Sequence, residues 1–209
     1  MLVGSFNPAI FQPAWFAKLG LLSEETTKKA EVKIITPQVC HFETDEFVLQ
    51  VVDQRFLVQS KMSADPAPLS DLVSGTFFIL EHTPVTAMGL NRQMHVDLQS
   101  EEAWHRFGDR LVPKDGWKSV LDGRPGMVGV AVQSPMKDFP NALFTMRIEP
   151  SQRLKHGAYF DTNENYSAQA DEPEPLKRLM QILKTRWEKV EPYATNVAEH
   201  ILTWAKADK

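Results

Sequence analysis

Two runs of β-rich sequence, each followed by an amphipathic helical stretch, predict an α+β fold: a mainly antiparallel sheet with helices packed on one face. Three observations carry that reading. Residues 31–60 and 126–167 are rich in β-branched and aromatic side chains bounded by turn residues. Residues 69–80 and 176–205 instead repeat their apolar positions every three or four residues. The chain has 209 residues, 43% hydrophobic and 24% charged, which suits one well-buried core.

The chain begins with an aromatic arm over residues 1–22. Asn7 and Gln12 each precede a proline, which biases residues 5–12 toward extended backbone. Pro13 suits the first position of a helix through Trp15, Phe16 and Leu19, ending at Gly20. Ser23 caps a second short helix, with Glu24 and Glu25 at its start and Lys28 and Lys29 at its end, the order the helix dipole favours.

"EVKIIT", "CHFETDEFVLQVV" and "RFLVQS" read as three strands, the last two a hairpin. "ADPAPLSD" is a loop with helix-start chemistry, and Leu69, Leu72, Val73, Phe77 and Leu80 form a helical stripe closed by Thr83 and Pro84. Met88, Leu90, Met94, Val96 and Leu98 share one face of the next strand, interrupted by Arg92. Ser100 caps "EEAWHRFGDRL". Three more strands follow: "GMVGVAVQ", "ALFTMRIEP" and "GAYFDTNENYS". A long carboxyl-terminal helix closes the chain, with a kink or break expected at Pro192. The chain reads as a single domain, 1–209. Residues 109–125 mark a linker if there are sub-lobes, which then span 31–108 and 126–209; one continuous sheet is the equal alternative.

Composition bounds the function. The net charge is −4, and no basic run exceeds Lys28 and Lys29, so nucleic acid is not the expected ligand. The single cysteine, Cys40, excludes an internal disulfide and suits a reducing compartment. No apolar run is long enough to cross a membrane, and prolines interrupt the first twenty residues where a signal peptide would need an unbroken core. A cytoplasmic protein with no membrane attachment is expected.

Catalytic signatures are sparse. Glu101 or Glu102 with His105 and Asp109 gives acid–histidine–acid spacing on a helix, yet without a metal-binding motif it reads as a solvated face. Cys40 and His41 are neighbours in a strand and point to opposite faces, so they cannot share a proton. Asp161 and Glu164 stand beside Asn163 and Asn165, which reads as turn chemistry. Neither a phosphate loop nor a nucleophile elbow is present. No catalytic residue, metal ligand or cofactor is therefore assigned. Arg92, on an apolar strand face, is the most informative polar residue, either an anion contact or an internal ion pair.

"LSDLVSGTFFILEHTPVTAMGLNRQMHV", preceded by "HFETDEFVLQVVDQRFLVQS", resembles the middle of a sporadically distributed bacterial α+β family of unknown function. That family carries a Gly-Leu-Arg-Tyr-Asn-type signature. Here it stands as Gly89, Leu90, Asn91 and Arg92, with Asn and Arg displaced and the Tyr missing. The resemblance covers about a quarter of the chain and implies fold class and bacterial origin, without an activity.

Taken together, the residues predict a non-catalytic protein-interaction subunit or adaptor of a bacterial cytosolic assembly, with a defence role as one association. Its partner would be another protein or itself. Phe6, Ile10, Phe11, Trp15 and Phe16 are the expected partner-binding residues, since large apolar side chains dominate interface cores. The alternatives are an enzyme or small-ligand-binding protein with a site around Arg92 and His95, joined by His105, and a nucleic-acid-associated subunit of a larger complex.

Overall fold

The computed structural model describes residues 1–61, 67–169 and 171–206; the loop expected around residues 64–66 lies outside these. Among the described residues, nine strands form one antiparallel sheet in the order β2-β3-β4-β5-β1-β6-β9-β8-β7, with six α-helices. The strands are β1 (Leu2–Gly4), β2 (Glu31–Ile35), β3 (Val39–Glu43), β4 (Phe47–Val52), β5 (Arg55–Ser60), β6 (Val85–Asp97), β7 (Val130–Pro135), β8 (Ala142–Pro150) and β9 (Gly157–Ser167). The helices are α1 (Pro13–Lys18), α2 (Glu24–Lys29), α3 (Ala67–Ile79), α4 (Glu101–Leu111), α5 (Asp115–Lys118) and α6 (Pro175–Lys206).

Most local signals act as the sequence implies. Pro13 opens α1, and Gly20 takes a positive φ of 69° beyond its end. The Ser23 and Ser100 side chains accept hydrogen bonds from the Thr26 and Ala103 backbone N–H groups, capping α2 and α4. β8 and β9 occupy the stretches their alternation marks.

Four local expectations are corrected. "CHFETDEFVLQVV" forms two strands rather than one: the Thr44 hydroxyl accepts from the N–H groups of Glu46 and Phe47 and folds the chain into a tight turn. The arm is not extended throughout. Leu2–Gly4 is a short strand between β5 and β1's other neighbour β6, and Pro8–Ile10 is a 3₁₀ turn capped by Asn7. Asp161 and Glu164 lie inside β9, not in a turn. Finally, of the kink or break expected at Pro192 the break is absent, since α6 continues through it as one helix. Pro192 withholds one backbone hydrogen bond, but Val190 and Ala194 beside it are 2% and 1% exposed, and this burial on either side favours keeping the helix.

The chain divides into two compact units, each discontinuous in sequence. The first comprises Met1–Leu90 and Asn165–Glu188; the second comprises Asn91–Glu164 and Lys189–Lys209. Residues 109–125 fall within the second unit rather than at a unit boundary.

In the first unit, strand register builds a transverse apolar row. Cys40 faces Val51, Val51 faces Phe56, Phe56 faces Leu2 and Leu2 faces Met88, all 2% exposed or less. Phe6, Phe11 and Phe77 pack on Phe56 of this row, with Phe11 and Phe56 ring centroids 5.3 Å apart and Phe56 and Phe77 5.1 Å apart, and Phe16 packs on Phe11 and Phe42. In the second unit, Phe144, Met146 and Ile148 of β8 and Phe160 of β9 pack with Phe107 of α4 and Ala198 and Ala205 of α6. Helices thus cover the even-numbered face of β8 and β9.

Candidate functional site

The residues expected to bind a partner at the arm are largely consumed by the chain itself. Phe6, Phe11 and Phe16 are buried in the first unit, and Ile10 and Trp15 are half-buried. Their apolar area is already removed from water, so little remains to drive association.

Arg92 and His95 lie three residues apart on β6 and point to opposite faces, so one pocket cannot hold both. Arg92 is half-buried on the helix-covered side. Desolvation lowers its pKa, opposed by the nearby Glu191 carboxylate on α6. His95 lies on the uncovered side, where its Nδ1 is 2.8 Å from the Ser151 hydroxyl and its ring is 4.8 Å from that of Tyr159.

The uncovered side of β6 and β9 is a ladder of paired polar side chains. Asn163 donates to Asn91, Gln93 bonds Asp161, and His95 stacks on Tyr159. Desolvation raises the pKa values of Asp161 and Tyr159 and lowers that of His95, which the Arg153 charge lowers further. Each rung satisfies itself across the strands, as expected of the solvated face of an antiparallel sheet.

An open cleft of ≈ 140 Å³ lies in the second unit, walled by Trp104, Phe107 and Met127 and edged by His105, Lys114 and Glu149. Three of its charged groups have partners, Lys114 with Asp109, Glu149 with Arg147, and His105 with Glu101 at 3.6 Å, and Arg124 also lines it. Among the described residues, no group of three or more His, Cys, Asp or Glu side chains converges as metal ligands would. Cys40 is fully buried and His41, beside Glu43 at 3.8 Å, is half-exposed on the other face of β3.

Comparison with protein-family models, curated proteins and solved structures finds no match. Geometry alone must therefore identify the site.

Residues 117–132 of the second unit carry several exposed apolar side chains. Trp117, Val120, Leu121, Val128 and Val132 are 54%, 70%, 49%, 87% and 64% exposed. This stretch leads into β7, an edge strand that carries no charged side chain and pairs with β8 in unbroken register from Val130 to Pro135. The opposite edge, β2, differs. Its register shifts at Lys33, and the Lys33 ammonium pairs with Glu31 at 2.5 Å. A bulge and edge charges discourage strand addition; β2 has both and β7 has neither. The exposure of Val132 is not legible in the sequence because it is a property of the sheet edge, and a valine-rich strand looks alike at an edge or at the centre. Among the described residues, no helix is long and apolar enough to cross a membrane.

Proposed function

We propose that the chain is a protein-interaction subunit, working as a binding component of a bacterial cytosolic assembly rather than as a catalyst. The observation that carries this reading is the exposed apolar stretch 117–132 running into an uncharged sheet edge. Isolated apolar residues on a surface are ordinary, but several exposed ones in a single stretch that runs into an uncharged edge strand support docking. Interface cores use the residue types found here, Trp and β-branched aliphatics free of charge.

The test is site-specific photo-crosslinking in cells that naturally carry the protein, with the probe at Val120 and at Val128. The expected result is a discrete protein adduct at both positions and none at His82, whose side chain is 96% exposed on the first unit. Adducts no more abundant at Val120 and Val128 than at His82 would overturn the reading.

A further inference from the structure

The connection between β8 and β9, residues 151–156, is gathered around one hydroxyl. The Ser151 Oγ accepts hydrogen bonds from the backbone N–H groups of Arg153 at 3.1 Å and Leu154 at 3.0 Å. The same oxygen stands 2.8 Å from the His95 Nδ1 on β6. A serine oxygen has two lone pairs and one proton. The two N–H groups take the lone pairs, so the proton is what Ser151 has left to offer His95. Nδ1 is therefore the acceptor, and the ring is neutral with its proton on Nε2.

This turn also carries part of the cleft wall in the second unit. Pro150 and Gly157, the residues on either side of the connection, both line the cleft beside Trp104. The Gly157 carbonyl accepts from the Ser151 N–H at 2.9 Å and from the Trp104 indole N–H at 3.2 Å. The turn closes on Gly157 so tightly that a Cβ there would stand 2.6 Å from the Leu154 Cβ.

We propose that His95 and Ser151 form a proton-operated latch: the neutral imidazole holds the β8–β9 turn closed, and its protonation loosens the turn together with the cleft wall at Gly157. This inference goes beyond the binding reading and does not depend on it. An imidazolium carries a proton on both nitrogens, so Nδ1 becomes a donor aimed at an oxygen whose lone pairs are already taken. Ser151 must then give up a backbone N–H or part from His95. Arg153 belongs to the turn itself, and its charge repels the imidazolium as it forms. The carboxylates on this face are engaged elsewhere: Asp161 with Gln93, Glu149 with Arg147, and Asp97 with the Gln99 N–H. Tyr159, stacked on the ring, has its pKa raised and is uncharged. Desolvation and Arg153 both lower the His95 pKa, so the latch is closed at neutral pH and opens in acid.

NMR on the full-length chain tests the latch. At neutral pH the His95 ring nitrogens should report the Nε2–H tautomer. On acidification, the Arg153 and Leu154 amide resonances and the Trp104 indole N–H should move with the same midpoint as the His95 ring. Exchange protection of the Leu154 amide should fall about fivefold or more across that midpoint. His95→Gln leaves an acceptor for the Ser151 hydroxyl but no titrating group, and should keep the protection constant. Arg153→Gln should raise the His95 and Leu154 midpoints together, a readout that a merely structural contact would not give. An Nδ1–H tautomer, turn resonances that titrate apart from His95, or acid loosening that persists in His95→Gln overturns the latch.

Discussion

The Cys40 thiol donates a hydrogen bond to the Phe11 carbonyl oxygen, with sulfur and oxygen 3.0 Å apart. This contact fastens the amino-terminal arm to a strand far along the chain. It lies beneath Phe11, Phe16 and Phe42, each 1% exposed or less. The arm is thus part of the core of its unit, and its prolines and 3₁₀ turn steer aromatic side chains onto the sheet.

Burial pushes the Cys40 thiol up to about 11 from its ordinary 9.0. The folded chain should resist thiol reagents at pH 8, and labelling should become fast only in denaturant. The sign of the stability effect follows from proton binding. Above about pH 9 the unfolded thiol ionises while the folded one stays protonated, so unfolding is favoured as pH rises toward 11. The slope from this group is about 1.4 kcal/mol per pH unit in that window. Cys40→Ala should flatten the alkaline limb of a stability–pH curve; an unchanged limb would count against it.

Phe16 is wholly buried and lies 6.0 Å from Phe42 and 6.4 Å from Phe11, centroid to centroid. Phe16→Ala should cost about 3–5 kcal/mol, as transfer and cavity terms add. Trp15 is half-buried and should lose less on truncation. Urea unfolding of both variants tests the order. A larger loss at Trp15 would show that the ring at the surface of the arm, not the one beneath it, anchors the arm.

Gly4 admits no side chain. A Cβ there would stand 2.2 Å from the Pro84 carbonyl oxygen and 3.0 Å from the Val85 Cα, both backbone atoms that cannot turn aside. Gly4→Ala should therefore displace β1 from β6 and cost more than about 2 kcal/mol. At Gly123 a Cβ would meet nothing within 4 Å, and Gly123→Ala should be near neutral or slightly stabilising. Paired thermal melts measure the contrast, and equal effects at the two positions would refute the clash.

His95 titrates below its ordinary range, first through desolvation and second through the Arg153 charge. The stability it contributes is present above the unfolded histidine value of about 6.5 and is lost as pH falls through the lowered folded value. Arg153→Gln should raise the His95 pKa part of the way back, leaving the desolvation share in place. An NMR titration of the His95 ring reads this directly. A shift downward, or none, would remove Arg153 from the account.

The sequence by itself determined the elements whose cause is local. Ser23 and Ser100 cap helices because their hydroxyls reach N–H groups three residues on, and β8 and β9 follow from alternation within each segment. The opposite facing of Cys40 and His41 was legible for the same reason. Strand order was not legible, because it depends on pairing between distant segments. Leu2–Gly4 is too short to show a period, yet it sits between β5 and β6 at the middle of the sheet. Strand order also decided that β2 and β7 are edges, and hence that Val132 on β7 faces water. An apolar residue records only that it gains by leaving water; which surface receives it is settled by the tertiary fold.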